Sequence, residues 1–122
     1  MSIKGNSKEP DSADDEWQGP WGSIMATPHS VASLCLVCNG DRQTMVSYPY
    51  RTLNRWKWQD GEPESLEIQA ANHRIKVVGR GLRRLFEAIE LEQLKTIRDN
   101  GGKQPDATGS TCVYSILIEE VV

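Results

Sequence analysis

Between residues 65 and 91 the sequence changes period, and that change constrains the fold more than any other feature of the chain. In Arg74-Ile75-Lys76-Val77 polar and apolar residues alternate, as a strand with one core face and one wet face requires. Residues 66–70 and 74–78 read as a β-hairpin turning at Ala71-Asn72. Past Gly79 and Gly81 the spacing becomes helical. Leu82, Leu85, Phe86 and Ile89 fall within about a quarter-turn of one line, while Arg83, Glu87 and Glu90 form a polar flank. Leu91 falls opposite Leu82, so the helix is expected to end near Glu90 or Leu91. A hairpin feeding a short amphipathic helix defines an α+β chain.

That helix opens with the wrong sign of charge. The first helical turn carries free backbone N–H groups and roughly half a positive charge, which acidic side chains usually meet. Here Arg80, Arg83 and Arg84 stand in their place. Arg80 and Arg84 also repel at i, i+4, by a few tenths of a kcal/mol. Gly79 and Gly81 offer backbone that a ligand can approach closely. With Arg74 and Lys76 on the preceding strand, these residues define an expected anion-binding site. A phosphate, an acidic peptide or the chain's own residues 14–16 would fit it. The competing reading is a solvated face in which Arg83 pairs with Glu87. The Gly-Arg-Gly run lacks the Gly-Lys-Ser/Thr of a nucleotide cradle.

Residues 1–27 read as a flexible acidic leader, rich in turn residues and poor in apolar ones. It contains Trp17 and Trp21, separated by a Gly19-Pro20 pair that no continuous helix accommodates. The indoles either fold back over the domain or form an acidic-aromatic docking peptide. Residues 28–122 read as a single α+β domain. Residues 33–38 form an apolar strand, Asn39-Gly40 is a strong hairpin signal, and 43–48 is the return strand, ended by Pro49. Residues 53–59 form a further strand, and 60–63 a turn. After the helix come a short strand at 94–98, a long loop at 99–110 and a last strand at 111–120. The expected fold is a mostly antiparallel meander sheet, or a small half-open barrel, with one short helix packed on one face and a C-terminal hairpin. Residues 114–118 are apolar on both faces, which implies a central strand or an edge covered by a partner.

A chain of 122 residues supports one domain. Its net charge of −3 is accounted for by residues 1–26, where Lys4 and Lys8 face Glu9, Asp11, Asp14, Asp15 and Glu16. The remaining residues balance, so a globally basic nucleic-acid signature is absent. Residues 42–84 nevertheless hold nine basic side chains against four acidic ones. Within them Arg51, Arg55 and Lys57 interleave with Tyr48, Tyr50, Trp56 and Trp58, as in single-strand binders. On a strand, however, Trp56 and Trp58 share one face and Arg55 and Lys57 the other, which favours tryptophans in the core and cations in water.

Cys35-x-x-Cys38, His29 and Cys112 could supply zinc ligands. Residues three apart on a strand face opposite sides, so no metal site is expected there. His73 reads as a turn residue, and Glu62, Glu64, Glu119 and Glu120 as solvated carboxylates. No paired-carboxylate or nucleophile–base spacing points to an enzyme. No cofactor is expected. There is no apolar run long enough for a membrane span and no secretory h-region, and three cysteines make no disulfide framework. A cytoplasmic location is expected.

Together these features predict a non-catalytic binding or assembly module. Its partner would be a protein or an anionic ligand, with self-association through the C-terminal strand as a further expectation. The alternatives are nucleic-acid binding through the basic middle and a small-molecule enzyme with an unrecognised site.

Overall fold

A computed structural model describes residues 15–26, 30–100 and 111–121, with residues 15–19 described as backbone only. Among these described residues, nine strands and one α-helix follow in order. They are β1 (Asp15–Gly19), β2 (Gly22–Met25), β3 (Ser33–Asn39), β4 (Gln43–Pro49), β5 (Leu53–Gln59), β6 (Glu64–Ala70), β7 (His73–Arg80), α1 (Arg83–Glu90), β8 (Leu94–Arg98) and β9 (Cys112–Glu120). A 3-10 turn at Tyr50–Thr52 joins β4 to β5. The chain is thus α+β, dominated by antiparallel strands. No helix among the described residues is long and apolar enough to cross a membrane.

The strands form two sheets rather than one meander. The first runs β1-β2-β8-β3-β4 and the second β5-β6-β7-β9. An uninterrupted meander holds only for β5, β6 and β7. The expected C-terminal hairpin does not form, because β8 and β9 belong to different sheets. β8 lies between β2 and β3, antiparallel to the first and parallel to the second, with Leu36 beside Ile97. Its Leu94 and Ile97 are fully buried, as suits a central strand with neighbouring strands on both edges. The periodicity of five residues cannot say which strands those are. The two sheets do not close into a barrel.

The inward faces of both sheets share one core. Leu34 and Leu36 of β3, Leu66 and Ile68 of β6, Ile75 and Val77 of β7, and Leu85 and Ile89 of α1 all lie within it. Each such side chain stabilises the fold by about 1.5–3 kcal/mol through removal from water. Two polar bonds join parts distant in sequence. Tyr50 donates its hydroxyl to the Leu94 carbonyl at 2.6 Å, and Asp99 Oδ1 accepts the Asn39 N–H at 2.9 Å.

Residues 15–25, expected as part of a leader, are the first two strands of the five-stranded sheet. Gly19 pairs with Gly22 across Pro20 and Trp21. Trp21 is partly buried against the core, and its carbonyl accepts the Arg98 N–H at 2.9 Å. The remainder of the expected leader, and the side chain of Trp17, lie outside the described residues.

Candidate functional site

The negative charge that the helix start requires comes from within the chain. Glu64 opens β6, and strand alternation places it on the same face as Leu66, Ile68 and Ala70. Its carboxylate therefore points inward, toward the start of α1. Oε2 accepts the Gly81 N–H at 2.8 Å, and Oε1 accepts the Leu82 N–H at 2.9 Å and Trp58 Nε1–H at 2.9 Å. Burial pushes the Glu64 carboxyl up, but the bonds from Trp58, Gly81 and Leu82 more than offset it and hold the group below the usual glutamate range. Glu64 is thus a capping group rather than a solvated turn residue. No side chain of the helix's own N-cap residue, Leu82, takes that role.

Both glycines of the expected site have work inside the fold. A Cβ at Gly79 would lie 2.0 Å from the Cys112 carbonyl oxygen, so the close approach it permits is that of β9. Gly81 has φ +68°, the left-handed turn that leads β7 into α1.

The five cations expected at this site divide into two groups. Arg83 pairs with Glu87 at 3.3 Å on the exposed helix face, and its guanidinium lies 5.9 Å from the Trp58 ring centre. Arg83 and Arg84 line a shallow, open cleft of about 540 Å³ with Trp58, Glu64, Glu87 and Thr111. Arg80 ends β7 opposite Cys112. Arg74 and Lys76 lie elsewhere: Arg74 is six residues from Arg80, about 20 Å along an extended strand.

Arg74 and Lys76 belong to the solvent side of the four-stranded sheet. The register aligns Arg55, Gln69, Arg74 and Glu119 in one row across β5, β6, β7 and β9. The next row is Lys57, Glu67, Lys76 and Leu117. Arg55, Lys57, Arg74 and Lys76 are all exposed. Glu67 stands between two lysines and Glu119 opposite Arg74, an arrangement that steadies the strands. Two positive charges remain in excess on this face. Among the described residues, none of the four cations lies within ion-pair distance of a carboxylate.

The opposite rows of the same sheet are apolar. Trp56, Ile68, Ile75 and Ile118 form one, and Trp58, Leu66, Val77 and Ile116 the next. Trp56 and Trp58 are partly buried against the core. The rings and cations of β5 are therefore on opposite faces, as the alternation predicts, and the two rows that hold the cations contain no ring.

Cys35 and Cys38 lie on β3 with their thiols free. Burial, with Asp99 and Cys35 nearby, pushes the Cys38 thiol up and away from the reactive thiolate. His73 meets Tyr48 across the two sheets. The Tyr48 hydroxyl and His73 Nδ1 are 2.9 Å apart, with the rings edge to face at 5.6 Å. Neither this contact nor the Glu64 cap has a local signature, since the partners are 25 and 17 residues apart. The one available signal was the inward phase of Glu64, because a carboxylate on a core face must find donors. Comparison with protein-family models, curated proteins and solved structures finds no match.

Proposed function

We propose that this chain is a non-catalytic binding module that engages an anionic partner through the outer face of its four-stranded sheet. The observation that carries the reading is the alignment of Arg55, Lys57, Arg74 and Lys76 in two adjacent rows on exposed backbone register. Four cations held by a rigid sheet form an electrostatic footprint without prior ordering of a loop. The helix start is the weaker candidate, because Glu64 already meets its Gly81 and Leu82 donors and repels an incoming anion.

Nucleic acid is the partner class with a specific argument in its favour, since regularly spaced cations suit a phosphate backbone. The two registered rows of cations carry no ring, which implies contact by charge, with little sequence preference. Titration of a labelled single-stranded oligonucleotide, with polyglutamate in parallel, tests the reading. If all four side chains meet phosphates, log K falls with log salt at a slope of about −3. Replacing Arg55, Lys57, Arg74 and Lys76 by alanine is expected to abolish that slope while the chain stays folded. Binding to both polymers that is unchanged in this variant would refute the proposal.

A further inference from the structure

The strand that closes the basic sheet has no neighbour on its far side among the described residues. The N–H of Asn100 bonds the Val113 carbonyl at the start of β9, and beyond that point no described strand pairs with the free edge. Such an edge is normally shortened, charged or covered. The opposite edge strand, β5, follows this rule. It carries Arg55 and Lys57, and α1 lies beside it with Trp56 Nε1 bonded to Glu90 at 3.2 Å. β9 meets it only in part: Glu119 and Glu120 charge its C-terminal end, but Leu117 is 53% exposed on the outer face, and Ile116 and Ile118 are only partly buried on the inner one.

We infer that β9 pairs antiparallel with β9 of a second copy of this chain, about a two-fold axis through Leu117. The sequence of the strand selects that occupant and that register. With Leu117 opposite its own copy, Ile116 meets Ile118 of the other chain and Ser115 meets Glu119. Every apolar residue in that span then faces an apolar one, and no carboxylate faces another. A parallel pairing in register would stack Glu119 and Glu120 on their counterparts, which is unfavourable. Antiparallel pairing sends the two acidic ends in opposite directions. Residues opposed in a strand pair share a face, so both basic surfaces come to the same side of one eight-stranded sheet.

A single strand pair is small for a specific interface, below about 1,200 Å², so a roughly micromolar equilibrium is expected. The inference does not rest on the anion reading, because mass is measured without any anion present. Sedimentation or light scattering of the full chain over a concentration series should show 13.7 kDa rising toward twice that value. Leu117→Glu is the informative variant. In one chain the new carboxylate stands opposite Lys76, which favours the fold. In the pair it stands opposite its own copy. The variant is expected to keep the parent's circular dichroism and to shift the association midpoint upward by about tenfold or more, equivalent to ~1.4 kcal/mol. Leu117→Thr, which suits a strand but removes the apolar contact, should weaken association in the same direction. A parent chain that stays monomeric throughout, or variants that associate as the parent does, would overturn the inference.

Discussion

Removing the Glu64 carboxylate strands three donors at once: Trp58 Nε1, the Gly81 N–H and the Leu82 N–H, each now bonded within 2.9 Å. A lost helix cap costs about 1–2 kcal/mol, and a lost hydrogen bond to a charged group about 1.5–3 kcal/mol. The site is only partly buried, so water takes up some of the stranded donors, and the sum stays near 3 kcal/mol for Glu64→Ala. At about 3–5 °C per kcal/mol, Tm should fall by roughly 10 °C. Glu64→Gln keeps one acceptor oxygen but turns an NH2 toward a backbone N–H, so about half the loss is expected. The pH dependence has a definite sign. The folded carboxyl titrates below the ordinary value of about 4.3, so the unfolded state takes up its proton first as the solution is acidified. The stabilisation is complete above that ordinary value and disappears as pH falls through the folded one. Urea unfolding followed by tryptophan fluorescence, at neutral pH and near about pH 3, measures both effects. The gap between parent and Glu64→Gln should narrow in acid. A Glu64→Ala variant within about 0.5 kcal/mol of the parent, or a gap that does not change with pH, would refute the capping argument.

Gly79→Ala would place a methyl group 2.0 Å from the Cys112 carbonyl oxygen, and neither backbone can move without breaking the β7–β9 ladder. A loss of about 2–3 kcal/mol is expected by chemical denaturation, whereas Gly40→Ala, with nothing within 4 Å, should cost far less. Tyr48→Phe removes the hydroxyl that meets His73 Nδ1, and a loss of about 0.5–1.5 kcal/mol is expected from the same assay.

The local elements were legible because they follow from short-range physics. Alternation in residues 74–77 and the helical spacing of Leu82, Leu85, Phe86 and Ile89 identify β7 and α1 directly. The same alternation places Trp56 and Trp58 on the core side of β5 and Arg55 and Lys57 on the other. The pairing of distant strands was not legible. Nothing in Leu94–Arg98 indicates a parallel neighbour some 60 residues earlier, and a strand of that length fits a hairpin equally well. The helix start shows the same limit. Its crowd of arginines is visible in sequence, but the carboxylate that answers it comes from Glu64, brought in by the β6–β7 register. The basic face emerges in a similar way. Arg55 and Lys57 are separated from Arg74 and Lys76 by 19 residues, and only the β5–β6–β7 ladder makes them neighbours.

Backbone amide shifts followed during titration with a short single-stranded oligonucleotide locate the anion contact residue by residue. Arg55, Lys57, Arg74 and Lys76 and their strand neighbours are expected to move together, and raising salt to reverse the change. Shifts confined to Gly81, Arg83 and Arg84 at the start of α1, with the outer sheet face unmoved, would contradict it.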